Sequence, residues 1–261
     1  MANYPISFLT HGFLGVSIIM LLLWLYQHHR NDASHVDIGW AIGIALLTSY
    51  YAVYGQGDPN RRFLVWILTV FWSLRLSWHL SNRHESGKED GRYVLLRRSW
   101  GKNAQRNFFV FYIAQAILAW TFSLPSFLST ANPYPLSITD GIGLAIWLIA
   151  VAGESIADTQ LNRFKSNKKN VGQTCMSGLW RYSRHPNYFF EWLYWFSFIP
   201  WAIQYSWGWV SLCFPFIMLY LLFNITGIPY TEKRAVKSRG NQYRNYQKTT
   251  NAFFPWIPQK V

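Results

Sequence analysis

The densest run of chemistry-bearing residues is Gly178-Leu179-Trp180-Arg181-Tyr182-Ser183-Arg184-His185-Pro186-Asn187-Tyr188, followed by Glu191. Pro186 suits the first position of a helix, and a helix N-terminus offers unpaired N–H groups to a phosphate. Arg181 and Arg184 would add charge there, and Trp180, Tyr182 and Tyr188 would add stacking surfaces. The rival reading is an interfacial anchor of aromatic rings and arginines. Upstream, Glu154, Asp158, Asn162 and Lys165 stand at i, i+4, i+8 and i+11, within one helical arc of about 80°. Carboxylates at i and i+4 repel unless each has a partner. Arg75 and the loop bases are candidates, and a purely structural ion-pair network is the alternative. Asp37, Arg75, His79, Glu154, Asp158 and Glu191 are the ionisable residues inside charge-poor apolar stretches. Such groups are rare in a membrane and default to functional hypotheses. Solvated, snorkelling helix ends are the competing explanation, strongest for Asp37.

These residues must be positioned by membrane helices. The 261-residue chain is 51% hydrophobic and 13% charged, against about 25% charged in a soluble domain. Mean hydropathy is only +0.03, but that scale treats the 15 Trp and 16 Tyr as polar, and membrane interfaces favour both. The composition excludes a disordered chain, a disulfide scaffold and a coiled coil. Several charge-free stretches reach about 20 residues, the length that crosses about 30 Å of hydrocarbon. The sequence therefore predicts an all-α polytopic membrane protein with about seven spans, at 6–27, 37–54, 63–80, 107–129, 138–157, 188–205 and 207–228. The first lacks a basic n-region and a cleavage site, so it reads as a retained helix. Pro125, Pro200 and Pro215 fall inside spans, where neighbouring helices can satisfy the freed carbonyls. Residues 1–261 read as a single membrane domain.

Charge sets the expected orientation. With seven spans, 21 of the 24 Lys and Arg fall on one side. Positive loops stay cytoplasmic, so the N-terminus is expected outside and the C-terminus in the cytoplasm, with Arg61 and Arg62 dissenting. All six intramembrane ionisable residues then lie toward the cytoplasm, which suggests one cavity facing that side. The net charge of +13 flanks membrane spans, and no nucleic-acid motif accompanies it. Topology alone does not require six or seven bases per loop. Cys175 and Cys213 read as free thiols. No Rossmann or Walker glycine loop, serine elbow or set of repeated His boxes is present, and no metal site is expected.

Residues 140–258 resemble the C-terminal domain of the steroid 5α-reductase family, and particularly its bacterial branch, known as domain of unknown function 1295. The resemblance rests on Glu154-x3-Asp158-x-Gln160-Leu161, the Gly178–Tyr188 run with Glu191, then Glu232, Tyr243, Tyr246, Thr249 and Phe254-Pro255. Lys88-Glu89-Asp90-Gly91-Arg92-Tyr93 extends it upstream. The Arg-His-Pro-x-Tyr motif is shared with isoprenylcysteine carboxyl methyltransferases and membrane sterol reductases. The resemblance implies a seven-helix bundle that binds NADPH from the cytoplasm and passes hydride to the β-carbon of an enone in a lipidic substrate. Its cofactor contacts map onto Asp158, Asn187, Tyr188 and nearby bases such as Arg181. In the third helix Arg75 is followed by His79 where the family has Tyr, with Arg83 one turn on. The family's second-helix Gln-Glu pair is absent, and Asp37 is the nearest acidic substitute.

The expected function is thus an NADPH-dependent reductase of an activated C=C bond in an apolar, steroid-like or other lipidic substrate, embedded in a lipid bilayer. The expected setting is a bacterial inner membrane with the site facing the cytoplasm. One buried donor must stabilise the developing enolate oxygen. Asp37, His79, Tyr188 and Glu191 are the candidates. The cofactor set comprises Arg75, Arg83, Arg92, Arg97, Arg98, Glu154, Asp158, Asn162, Lys165, Trp180, Arg181, Tyr182, Arg184, His185, Asn187 and Tyr246. Arginine's planar fork favours phosphate, and Lys233 and Arg234 could close over the nucleotide with Tyr246. Two alternatives stand beside this. One is an S-adenosylmethionine-dependent methyltransferase, and the other a lipid-binding protein without catalysis.

Overall fold

The structure is a computed structural model that describes residues 6–83 and 88–259; of Arg83 it describes the backbone alone. Among these residues every regular element is helical. Six stretches are long and apolar enough to cross a membrane: Ile6–Arg30, Val36–Tyr54, Pro59–Asn82, Gly91–Thr130, Ile138–Ser166 and Gly208–Arg239. The span expected at 188–205 is not among them. A helix Pro186–Phe196 stops there and a short one, Phe198–Ala202, follows. Pro200 supplies the reason, because its ring clashes with the carbonyl four residues back, at Phe196, and it has no N–H to donate. Ser197 N–H turns instead to the Tyr194 carbonyl at 3.1 Å. The chain packs as two compact units, residues 1–136 with 202–208, and residues 137–201 with 209–261.

The first unit holds α1 (Ile6–Arg30), α2 (Val36–Tyr54), α3 (Pro59–Arg83), α4 (Gly91–Trp100) and α5 (Ala104–Thr130). Helix α2 packs against α3 and α5, and α1 against α5. Lipid offers no partner for a backbone carbonyl freed by proline, and α5 carries Pro125 next to a run of hydroxyl residues. The carbonyl that Pro125 leaves without its helical N–H is that of Thr121, four residues back; further on, Ser129 Oγ adds a bond to the Pro125 carbonyl at 2.8 Å. Ser126 pairs with Thr48 at 2.8 Å and Ser123 with Tyr51 at 3.0 Å, so small hydroxyls bind α2 to α5. Asp58 caps α3 by accepting from Arg61 N–H at 2.9 Å, with Pro59 in the first helical position. Gly57 is needed beside it, since a Cβ would lie 2.2 Å from the Thr130 carbonyl.

Arg61 and Arg62, which dissented from the charge pattern, have structural duties. Arg61 is fully buried and donates to the carbonyls of Tyr134 and Pro135. Arg62 donates to those of Ala52 and Gly55 at the C-terminal end of α2, at 3.0 and 2.6 Å. Cations at carbonyl-rich helix ends are favoured wherever the end lies.

The second unit begins with α6 (Ile138–Ser166), capped by Ser137 and Asp140. Antiparallel to it runs α7 (Pro186–Phe196), continued by α8 (Phe198–Ala202). Then come α9 (Cys213–Asn224), α10 (Gly227–Arg239) and α11 (Asn241–Thr249), each packed on a predecessor. Glycines let α6 approach α7 and α8 closely. A Cβ on Gly153 would sit 2.4 Å from the Phe190 ring, and one on Gly143 would sit 2.2 Å from Trp201 Nε1.

Candidate functional site

The α6–α7 hairpin brings the polar stripe and the Gly178–Glu191 run together. Asn187 Nδ2 donates to Asp158 Oδ1 at 3.4 Å. The same antiparallel crossing sets Gly153 against the Phe190 ring. Burial grades along the stripe: Glu154 and Asp158 are buried, while Asn162 and Lys165 are exposed. On α7, Asn187 and Glu191 share one face at i and i+4. Tyr188 lies about a quarter turn away, its ring stacked on His185 at 5.4 Å and 7°.

The loop before α7 is held from two sides. Gly178 has φ +60, and the Gln160 side chain occupies the place of its missing Cβ, with Gln160 Oε1 accepting from Leu179 N–H at 2.9 Å. Trp180 is buried and its Nε1 donates to the Ala157 carbonyl at 2.9 Å. From the other side the C-terminal segment laces in. Ser183 Oγ donates to the Phe253 carbonyl at 2.7 Å, Arg184 N–H to Asn251 at 2.9 Å, and Trp256 N–H to Tyr182 at 2.9 Å.

Glu232 of α10 is the hub of this lacing. Its carboxylate accepts from Arg184 Nε at 2.7 Å and Nη2 at 3.2 Å. Tyr243 OH donates to it at 3.0 Å and Gln247 Nε2 at 2.5 Å, while His185 Nε2 lies 3.1 Å away. Arg184 Nη1 meanwhile donates to the carbonyls of Gln247 and Thr250. Four of its five N–H groups are thus engaged within the protein. Arg184 and His185, expected at a cofactor, are built into this clasp. So is Tyr246, which is buried and donates to the carbonyls of Trp180 and Ser183, rather than closing over a ligand from outside. Burial pushes the Tyr246 phenol well above its ordinary range. Burial and then the Glu232 charge do the same for Tyr243. Glu232 was absent from the expected site, although it is the only acid among the seven bases after residue 228. That isolation, and the place of Glu232 in the family resemblance, were the available signals. Arg181, Tyr182, Lys233 and Arg234 are exposed.

In the first unit a separate network surrounds Asp37 at the start of α2. Arg92 Nη2 donates to Asp37 Oδ2 at 2.6 Å and Tyr93 OH to Oδ1 at 2.8 Å. Arg97 forks onto Glu89 at 3.1 and 2.7 Å, reaches Gln27 at 3.1 Å, and lies 4.6 Å from the Phe108 ring centre. Glu89 also accepts from Ala33 N–H, and Asp90 caps α4 through Arg92 N–H. Asp37 is therefore held between Arg92 and Tyr93. Arg75 and His79 are half-buried on α3, and Arg98 is exposed. The Arg83 side chain lies outside the described residues. Cys175 is buried and Cys213 exposed, neither in a disulfide. Among the described residues no cluster of His, Cys, Asp or Glu has metal-holding geometry.

Comparison with known proteins adds the following. A family described as "Protein of unknown function (DUF1295)" matches residues 23–250. An uncharacterised protein of Schizosaccharomyces pombe is 26% identical over 271 residues, covering 94% of this chain and 78% of that protein. This relative is fungal, so the likeness is not confined to bacteria. No solved structure matches the chain significantly.

Proposed function

Because the chain belongs to the DUF1295 family, which is related to steroid 5α-reductase-like membrane proteins, we propose that it is a membrane-embedded, NADPH-dependent reductase of an activated C=C bond in a lipidic substrate. One observation carries the reading most: the first turn of α7, opening at Pro186, is fixed by the Glu232 clasp and set against Asp158. A helix N-terminus with a nearby exposed Arg181 suits a pyrophosphate. NADPH supplies the hydride when bound. Asp158 and Asn187 offer an acceptor and a donor for its sugar or amide groups. The half-buried Tyr188 and Glu191 are the groups on α7 able to hold or give the proton of the developing enolate. Arg184, His185 and Tyr246 position the loop and need not touch the nucleotide. Arg92 and Arg97 hold carboxylates in the first unit, so phosphate recognition in this reading rests on Arg181, Lys233 and Arg234. The proposed topology keeps seven crossings, with the broken α7–α8 segment as the sixth, the N-terminus outside and the C-terminus in the cytoplasm. The site then faces the cytoplasm, from the inner membrane in a bacterial setting.

A second reading, S-adenosylmethionine-dependent methyl transfer, is favoured by a different observation. The charges of Arg92, Arg97 and Arg184 are matched by carboxylates, while Glu154 and Asp158 are buried on one stripe and would suit an ammonium. Titrating the detergent-solubilised protein with NADPH, NADH and S-adenosylmethionine separates the two. Saturable binding that prefers NADPH, weakens with salt and is lost in Asp158→Ala at unchanged thermal midpoint is the expected result. Tight binding of S-adenosylmethionine alone rejects the reductase. Bound lipid with no turnover by either cofactor leaves the non-catalytic reading.

A further inference from the structure

Among the described residues of the second unit, every exposed charged side chain is cationic. Its five acids, Asp140, Glu154, Asp158, Glu191 and Glu232, are all buried or half-buried, whereas ten of its Lys and Arg are exposed among the described residues. Four of these bases lie between residues 163 and 169 at the end of α6. Arg181 is in the loop before α7, three are on α10, and Arg244 and Lys248 stand at i and i+4 on α11. Hydrogen bonds gather these segments at one end of the unit, since Thr174 Oγ1 donates to Gln242 at 3.1 Å and Arg184 spans to Glu232. Orientation needs a bias of charge, not the removal of every exposed acid.

Beside the bases lies an apolar patch outside the apolar spans. Trp256 is 69% exposed, Ile257 76%, Phe254 53% and Tyr182 41%. The patch is fixed to the basic segments by backbone bonds: Trp256 N–H to Tyr182, and Gln259 N–H to Thr249, next to Lys248. A tryptophan and an isoleucine held in water on an ordered backbone lose free energy, whereas the headgroup level of a bilayer suits an aromatic ring flanked by bases. We propose that this end of the unit is a docking surface for anionic lipid headgroups, with residues 254–257 seated at the headgroup–acyl boundary and the exposed bases of α6 and α11, Arg244 and Lys248 among them, holding the phosphates around them. A dinucleotide would fill one place only, and bases on four separate segments exceed what its phosphates could pair. The inference stands independently of the proposed reaction.

The test uses the full-length protein reconstituted in phosphatidylcholine vesicles. Electron spin resonance compares the immobilised fractions of spin-labelled phosphatidylglycerol and phosphatidylcholine. Phosphatidylglycerol should associate preferentially, and the preference should collapse in 1 M NaCl. In Arg244→Gln/Lys248→Gln, association at the contacted sites should fall by about fivefold per base removed. The emission lost in Trp256→Phe should be quenched by lipids brominated near the headgroup and not by aqueous iodide. The midpoint of thermal unfolding serves as the folding control for both variants. Equal association of the two lipids, or iodide quenching of Trp256, would overturn the proposal. Abolition of the preference by millimolar inorganic phosphate would overturn it too, because it would make the patch a soluble-anion site. Saturable binding of single-stranded RNA that displaces the lipid would assign the surface to another partner.

Discussion

Removing the Glu232 carboxylate should loosen the loop that carries Arg184 and His185. In Glu232→Ala, Arg184 Nε and Nη2 lose their acceptor, and Tyr243 OH, Gln247 Nε2 and His185 Nε2 lose theirs. Taking one partner from a buried ion pair costs about 3–5 kcal/mol. The side chains of Arg184 and Glu232 retain 11% and 14% exposure, so water screens part of the loss and the lower end, about 3 kcal/mol, applies. At about 2–4 °C per kcal/mol for a chain of this size, the midpoint should fall by about 6–12 °C. Intrinsic tryptophan fluorescence of the detergent-solubilised protein during heating would record it. Glu232→Gln keeps an acceptor oxygen and removes the charge, so its loss should be smaller. A double-mutant cycle with Arg184→Ala should give a coupling of at least about 1.5 kcal/mol, because the two share a forked contact. A midpoint within 2 °C of the parent in Glu232→Ala, or additive single mutants, would refute the clasp.

Three further outcomes follow from the packing. Gly153→Ala should cost about 1–3 kcal/mol, since its Cβ would lie 2.4 Å from the Phe190 ring; adding Phe190→Leu should restore part of the midpoint, and full tolerance of the single change would contradict the α6–α7 crossing. Arg61→Ala should cost about 2–3 kcal/mol, because the buried guanidinium leaves the Tyr134 and Pro135 carbonyls without a donor; a denaturation midpoint unchanged from the parent would exclude that role. Burial holds the phenols of Tyr243 and Tyr246 above their ordinary range of about 10. Above that pH the unfolded chain has released protons that the folded chain keeps, so stability should fall as pH rises past about 10. Tyr246→Phe should flatten this alkaline limb, and an unchanged slope would count against the burial argument.

Much of the architecture follows from local rules. The first five spans were legible because a membrane demands about 20 apolar residues per crossing and helices satisfy their own backbone. The expected 37–54 and 138–157 lie within Val36–Tyr54 and Ile138–Ser166. Pro186 marked the start of α7, and the i, i+4 spacing set Glu154 and Asp158 on one stripe, where both are buried. The interruption after Phe196 was also written in Pro200, but a hydropathy window averages over it. Residue type could not assign the arginines. A guanidinium forks equally well onto a phosphate and a carboxylate, and Glu232 lies 48 residues from Arg184 in the chain. Asp37 similarly meets Arg92 across 55 residues. Only the folded arrangement of α10 against the loop before α7, and of α4 against α2, brings those carboxylates within 3 Å. Composition and periodicity act over one or two helical turns and so determined the helices. The partner of each charge depends on distance through space, which the tertiary structure alone decided.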